Sequence, residues 1–213
     1  EEMYRLEKSL LGFYMTGHPL EMYTDEIDSF SNEPIEHAHE SDRKLITTAG
    51  MILKKKIIPT KHGDMAFVLV EGRRGTGEVV VFSDVLEKYG ELLEPDCLVL
   101  MDGEVSRRRG DSRFSARMIY PLDKVRSILR TGVTIIIDGS NPRMELLEKA
   151  VDCLRNSSGK GEVSVIIKHS SGWKVVGHSR SLRVDPDADL ISELRELLGD
   201  ESVSLSRGRG PRI

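Results

Sequence analysis

Residues 45–122 alternate apolar and polar side chains at a period of two, with a single interruption of helical spacing. That one interruption limits the possible folds more than any other feature of the chain. The β patterns cover residues 45–58, 65–70, 78–82, 97–105 and 113–121. Turn-forming stretches divide them: Lys61-His62-Gly63-Asp64, then residues 72–77, then residues 108–112. In the interruption, Ser83-Asp84 reads as a helix cap and Val85, Tyr89, Leu92 and Leu93 share one face. Pro95-Asp96 ends that helix after Glu94.

Five strands with one helix between the third and the fourth is the order of the OB fold, a small closed barrel; an SH3-like barrel lacks the helix. The flanks read differently. Met3, Leu6, Leu10, Leu11 and Tyr14 are spaced for a helix over residues 3–15, stopped by Gly17-His18-Pro19. A shorter apolar pattern, Leu20, Met22, Tyr23 and Ile27, runs into residues 28–42, an acidic stretch read as a linker. Beyond the barrel, strands are expected at 133–138, 162–168 and 172–177, the last pairing back across Ser170-Ser171. Helices at 141–154 and 187–198 and an edge strand at 203–205 complete a β-α-β-β-α-β order, a small split α/β sandwich. The fold class is thus mainly β and α+β. The expected domains are residues 1–42, helical segment and acidic linker; 43–125, OB-fold barrel; 126–206, α/β domain; and 207–213, a flexible basic tail.

The chain has a formal net charge of −4, which on its face argues against a polyanion ligand. The distribution reverses that. Residues 1–42 hold 2 basic and 11 acidic side chains, residues 43–130 hold 17 and 12, and residues 131–213 hold 12 and 12. The barrel segment is basic, and a local field matters more to a polyanion than total charge. No apolar run approaches the ~18 residues of a membrane span, so no membrane role is expected. Cys97 and Cys153 lack CxxC spacing and sit in apolar patterns, as reduced core thiols of a cytoplasmic protein would. The chain opens Glu-Glu-Met, as a piece of a longer protein could.

No HExxH, GxSxG or P-loop is present, and no catalytic set emerges. His37-Ala-His39-Glu40 has ligand-like spacing but lies in the acidic stretch, and is read as a solvated loop rather than a metal site. The glycine-rich residues 72–77 lie between two strands, without the helix N-terminus that makes such loops bind phosphate, and are read as a hairpin. Asp138-Gly139 has no second carboxylate or base beside it and is read as a turn.

Binding is the stronger case. Oligonucleotides cross an OB barrel over its second and third strands, between the loop joining strands one and two and the loop joining strands four and five. Lys54, Lys56, Thr60, Lys61 and His62 occupy or lead into the first loop; Arg107, Arg108, Arg109 and Arg113 occupy the second. The two basic clusters are expected to converge on one face and neutralise phosphates. Alternation sends Lys55 to the other side from Lys54 and Lys56, which makes Lys61 at the loop tip the best single contact. Phe67 and Phe114 are the candidate stacking platforms, each equally open to a core role, while Phe82 is read as core.

Four stretches carry a resemblance: LEKSLLGFYMTGHPLEMY, AGMILKKKIIPTKHGDMAFVLVEG, GEVVVFSDVLEKYGELLEPDCLVLMDGEVSRR and ARMIYPLDKV. In this order they resemble the C-terminal portion of the bacterial replicative DNA polymerase III alpha subunits, closely over residues 5–125 and more loosely beyond. The resemblance implies an OB domain that contacts single-stranded template DNA, and a last domain that docks the tau subunit of the clamp loader. It implies no catalysis by this stretch and no cofactor in it, since the family's carboxylates, with their Mg2+ and deoxynucleotides, lie in a palm domain upstream. The family's internal sliding-clamp motif is built around a glutamine, and this chain contains none, so that partner is expected to be engaged upstream. Two other readings stay open: a purely protein–protein interaction module, and a tRNA-binding OB domain of a synthetase.

Overall fold

The computed structural model describes residues 17–108 and 111–208. The helix expected over 3–15, Arg109, and residues 209–213 of the tail lie outside the described residues. The chain forms two compact units, dividing between Lys124 and Val125.

In the first unit, strands β1 (Leu45–Thr60), β2 (Gly63–Glu71), β3 (Thr76–Val81), β4 (Leu98–Arg108) and β5 (Asp111–Pro121) close into a barrel of order β1-β2-β3-β5-β4. All neighbours are antiparallel except β3 and β5, which run parallel. Closure follows from β1, which pairs with β4 through Leu45–Met51 and with β2 through its later residues. A bulge between Ile52 and Lys54 turns the strand from one partner to the other. Inward residues are the alternate valines of β2 and β3 (Val68, Val70, Val79 and Val81) with Ile46, Ile52, Val99, Met101, Phe114 and Ile119, all buried. Gly103 faces Phe114, and a Cβ there would lie 2.7 Å from the ring, so the glycine makes room for the largest core side chain. Between β3 and β4, helix α2 (Ser83–Tyr89) and a 3-10 turn (Gly90–Leu93) bury Val85 and Leu93 beneath the barrel. The helix expected as one piece to Glu94 thus tightens at Gly90, where glycine lowers helix propensity. The exposed Phe82 is not core: it precedes the helix as its N-cap residue.

The acidic stretch is not a linker. After a 3-10 turn (Pro19–Tyr23), α1 (Thr24–Phe30) leads to a second turn (Ile35–His37), and Ile35 and Ala38 are each 1% exposed within the barrel core cluster. Ile35 sits on the β2–β3 hairpin, where a Cβ on Gly77 would meet the Ile35 carbonyl oxygen at 2.3 Å. Asn32 holds β1 from the side, accepting from the Thr47 N–H at 3.0 Å while its own N–H donates to the Thr47 carbonyl at 2.9 Å. Asp28, Glu40 and Asp42 face water, while Glu26 is buried and Ile35 and Ala38 close one end of the barrel.

The second unit follows the β-α-β-β-α-β order. After the short helix α3 (Val125–Ile128), strands β6 (Gly132–Asp138), β7 (Gly161–Lys168), β8 (Lys174–Val184) and β9 (Val203–Ser206) form a sheet of order β8-β7-β6-β9. Helices α4 (Met144–Asn156) and α5 (Ala188–Leu198) pack together, burying Ala150, Leu154, Leu190, Ile191, Leu194 and Leu198. β8 is longer than the alternation suggests. Its exposed edge position relaxes the two-residue period, and a register shift opposite Glu162–Ser164 absorbs the extra residues. Both cysteines are reduced and half-buried: Cys97 packs against the barrel core as expected, whereas Cys153 is not a core thiol and donates to Glu193 Oε1 at 3.1 Å. Partial burial and then that carboxylate push the Cys153 thiol pKa up, so it stays protonated. Asp187 caps α5, accepting from the Leu190 N–H at 2.8 Å. Asp187→Ala is expected to cost about 1 kcal/mol in urea unfolding followed by circular dichroism.

Candidate nucleic-acid interface

The barrel's outer face is read directly from its register. One row places Lys54 beside Leu69 and Leu69 beside Glu78; the next runs Lys56, Phe67, Val80, Ser115, Glu104. Lys54 and Lys56 are exposed, and among the described residues neither is ion-paired. Phe67 is half-buried, and the Arg113 guanidinium lies over its ring, 5.8 Å from the centroid. Leu69, 39% exposed, adds apolar surface beside the ring. Arg117 lies on the same side and bonds Glu104 at 2.7 Å, and Glu78 is the exposed acid of the patch. The result is three cations grouped around one accessible aromatic ring, a combination that suits a phosphate backbone with a stacked base.

Of the residues expected to bind, the structure brings Lys54, Lys56, Phe67 and Arg113 together. Phe114 is removed from the set: it is 0% exposed, one residue out of phase with Arg113 and packed inside the barrel. Thr60 has a structural task, its hydroxyl donating to the Gly63 carbonyl at 2.6 Å and accepting from the His62 N–H at 3.2 Å to close the β1–β2 turn. Arg107 is held by the segment before β1: its Nη2 reaches Asp42 Oδ1 and the Ser41 carbonyl, each at 2.8 Å. Ser112 Oγ also donates to the His39 carbonyl, so the base of the β4–β5 hairpin is fixed to residues 39–42. Arg108 ends β4, and Arg109 lies outside the described residues.

Nor do the two hairpin tips converge. β5 runs parallel to β3, which places the β4–β5 tip at the end of the barrel where β2 turns into β3. The β1–β2 tip is at the other end, where Ser83 Oγ donates to the His62 carbonyl at 3.1 Å. Lys61 and His62 are exposed there, beside a groove in which four acids, Asp64, Glu87, Glu91 and Glu94, outnumber two lysines, Lys55 and Lys88, and disfavour phosphate. The tips bracket the patch instead of pinching it, and the centre of the site moves from Lys61 to Lys56 and Arg113. Sequence reasoning passed over Leu69 and Arg117, although both follow from the same alternation as Phe67 and Arg113.

Lys55 points away, as its phase requires. It pairs in register with the fully buried Val68 and reaches Glu94 Oε1 at 2.6 Å and the Gly90 carbonyl at 3.3 Å. Lys55→Ala is expected to leave oligonucleotide affinity unchanged and to cost about 0.5 kcal/mol of stability, since Glu94 is largely exposed. Parallel binding and urea titrations would check both halves.

Residues 46–122 match the family described as the OB-fold nucleic acid binding domain, which spans the barrel from β1 through the turn after β5. Over nearly its whole length, the chain aligns with the DNA polymerase III subunit alpha of Escherichia coli (strain K12), at 30% identity across 205 residues. This chain is similar to the DNA polymerase III alpha subunit over 93% of its length. The corresponding subunit of Pseudomonas aeruginosa is 29% identical over 209 residues, 97% of this chain. The chain spans about 18% of the length of these curated relatives. Similar solved structures include the SSB domain of a Synechococcus protein, with a TM-score of 0.33 and 10% identity over 38% of this chain and 99% of that one. Another is a single-stranded DNA binding protein from Thermus aquaticus, with a TM-score of 0.32 and 17% identity over 37% of this chain and 40% of that one.

None of the other sequence features forms a site for chemistry. Residues 72–77 make a hairpin turn closed by the Gly72 N–H donating to the Gly75 carbonyl at 2.7 Å, with Arg73 tied to Asp28 at 2.7 Å. Asp138 accepts from the Ser140 N–H at 2.8 Å and shapes the turn after β6. Among the described residues no group of three or more His, Cys, Asp or Glu could hold a metal ion, and no helix is long and apolar enough to cross a membrane.

Proposed function

We propose that this chain is the OB-fold and following α/β portion of a replicative DNA polymerase III alpha subunit, and that its barrel holds single-stranded template DNA. The observation that carries the proposal is the exposed group of Lys54, Lys56 and Arg113 around Phe67, on the outer face of a barrel matched to nucleic-acid-binding domains. The lysines and Arg113 would neutralise successive phosphates and release counterions, while the ring accepts one base on its open side. One platform favours a weak grip without sequence preference, which suits a template that must slide.

In this reading the second unit docks the tau subunit of the clamp loader, supported by the similarity to the alpha subunit that continues past the barrel. The sliding clamp is engaged by another part of the subunit. Primer extension, with its Mg2+ and deoxynucleotides, belongs to the whole subunit in the cytoplasm, and this portion works without a cofactor. Fluorescence anisotropy of a labelled oligonucleotide tests the barrel half: binding at low salt that weakens steeply as salt rises is expected. No binding at tens of micromolar protein would contradict it. Capture of tau by the full chain tests the other half.

A further inference from the structure

β8 is an edge strand, and its first five residues, Lys174 to His178, are all exposed. The His169 N–H donates to the Trp173 carbonyl at 3.1 Å, which sets the phase of the β7–β8 ladder. Val175 and Gly177 bond back to β7, so the N–H and C=O groups of Lys174, Val176 and His178 point to the open side. Beyond His178 the strand bulges, and Arg183 Nη1 donates to the Ser179 and Leu182 carbonyls at 3.3 and 2.8 Å. The open edge is thus limited to five residues. Its two valines, Val175 and Val176, are 51% and 50% exposed, where a protected edge carries charge or proline.

The two faces of this stretch differ. On the helix side, the rung Ile135–Val165–Gly177 reaches the edge and ends there on a glycine. A Cβ on Gly177 would meet nothing within 4 Å, and the residue borders a cavity of about 350 Å³ between the sheet and α4. The cavity wall is apolar, with Ile137, Leu147, Val151, Val165 and Leu182 each half-buried. On the opposite face, the rung Asp138–Lys168–Lys174 sets two exposed lysines side by side. His178 lies on that same face, bonded through Nδ1 to Ser164 Oγ at 2.9 Å, with Nε2 left for a further partner. β8 also holds Arg180 and Arg183 and contains no acid.

We infer that an extended acidic segment of a protein partner adds to the β8 edge as a fifth strand, with a large apolar side chain in the Gly177 cavity. Main-chain bonds to Lys174, Val176 and His178 supply the pairing, and the cavity supplies selectivity. The residue opposite Gly177 falls in a non-bonded pair, where Cα atoms approach to about 4.5 Å, so its side chain lies over the glycine. Acids across from Lys174 and His178 extend the charged row and relieve the two adjacent lysines. Alternation keeps those acids on the face away from α4, whose Glu145 and Glu148 are exposed. A second copy of the chain fits less well. Pairing β8 with β8 about Val176 brings the cations of two strands together and offers the cavity nothing larger than valine. The edge and the cavity carry this inference whichever protein supplies the strand, tau or another.

The probe is the peptide acetyl-Thr-Glu-Leu-Val-Leu-Glu-Thr-amide, whose pattern reads the same in either strand direction. Titrated to about 5 mM into the 15N-labelled full chain at low salt, it is expected to shift the amides of Lys174, Val176, His178 and Val165. Gly177→Leu fills the space with the chain's own side chain. It should weaken binding about tenfold, the worth of one buried leucine, and leave the urea midpoint no lower. Replacing both glutamates of the peptide by lysine should weaken binding about fivefold, and N-methylation of its central valine should abolish it. Unmoved Lys174, Val176 and His178 amides at the highest peptide concentration would overturn the inference. So would equal binding of the lysine or the N-methyl peptide, or an affinity unchanged by Gly177→Leu. A mass by light scattering that doubles with concentration in the parent, but not in Val176→Lys, would overturn it by placing a second copy on the edge.

Discussion

Replacing Lys56 and Arg113 together by glutamate is expected to lower affinity at the barrel face for a single-stranded oligonucleotide by on the order of several hundredfold at ~10 mM salt. Each phosphate contact on a single strand contributes about 0.7 to the slope of log affinity against log salt, so losing two flattens that slope by about 1.4. Compounded over the roughly two decades between ~1 M and ~10 mM salt, the loss reaches this size, and the new negative charges add to it. Arg113 contributes twice, since its guanidinium also covers one side of the Phe67 ring. Both side chains are exposed, and the loss of the Arg113 contact over Phe67 should lower the urea midpoint of the double variant only slightly, by about 0.5–1 kcal/mol of stability. Salt-dependent anisotropy titrations measure the affinity and the slope together. A variant whose barrel-face affinity stays within about twofold of the parent would mean that these charges do not touch the strand.

Phe114→Ala is expected to cost about 3–5 kcal/mol of stability. The ring is fully buried against Gly103 and opposite Val79 on β3 and Val105 on β4. The glycine cannot grow to fill the space, and the surrounding strands are bound in a closed barrel that cannot collapse inward. Phe67→Ala is the counterpart. On the outer face it should cost much less stability and weaken strand binding about tenfold. Equilibrium urea unfolding and anisotropy on both variants separate the two rings. A loss below about 1 kcal/mol for Phe114→Ala would contradict the packing described.

The strand order, the helix between β3 and β4, and the β-α-β-β-α-β arrangement of the second unit were legible because each rests on local periodicity. So was the division of Lys54 and Lys56 from Lys55, which needs only the phase of one strand. What was not legible depended on contacts between distant segments. Ile35 and Ala38 look like stray apolar residues in an acidic stretch, and their burial requires Gly77 to let that stretch approach the β2–β3 hairpin. The choice between Phe67 and Phe114 requires knowing that Gly103 lies opposite the second ring. The separation of the two basic loops follows from the parallel pairing of β3 with β5, which no local pattern announces. Once that pairing is fixed, the loops mark the ends of the candidate face and the lysines of β1 mark its middle.

The central claim is that a single strand lies on the outer face of β1, β2 and β5. Amide chemical shifts of the 15N-labelled full chain, followed during titration with oligothymidylate at low salt, test it most directly. The account predicts that, within the barrel unit, the largest shifts fall on Lys54, Lys56, Phe67, Leu69 and Arg113, with Lys55 and Arg107 little changed. Shifts confined to Lys61, His62 and the start of α2, or to the segment around Ile35, with the Phe67 and Arg113 amides unmoved at saturation, would contradict it.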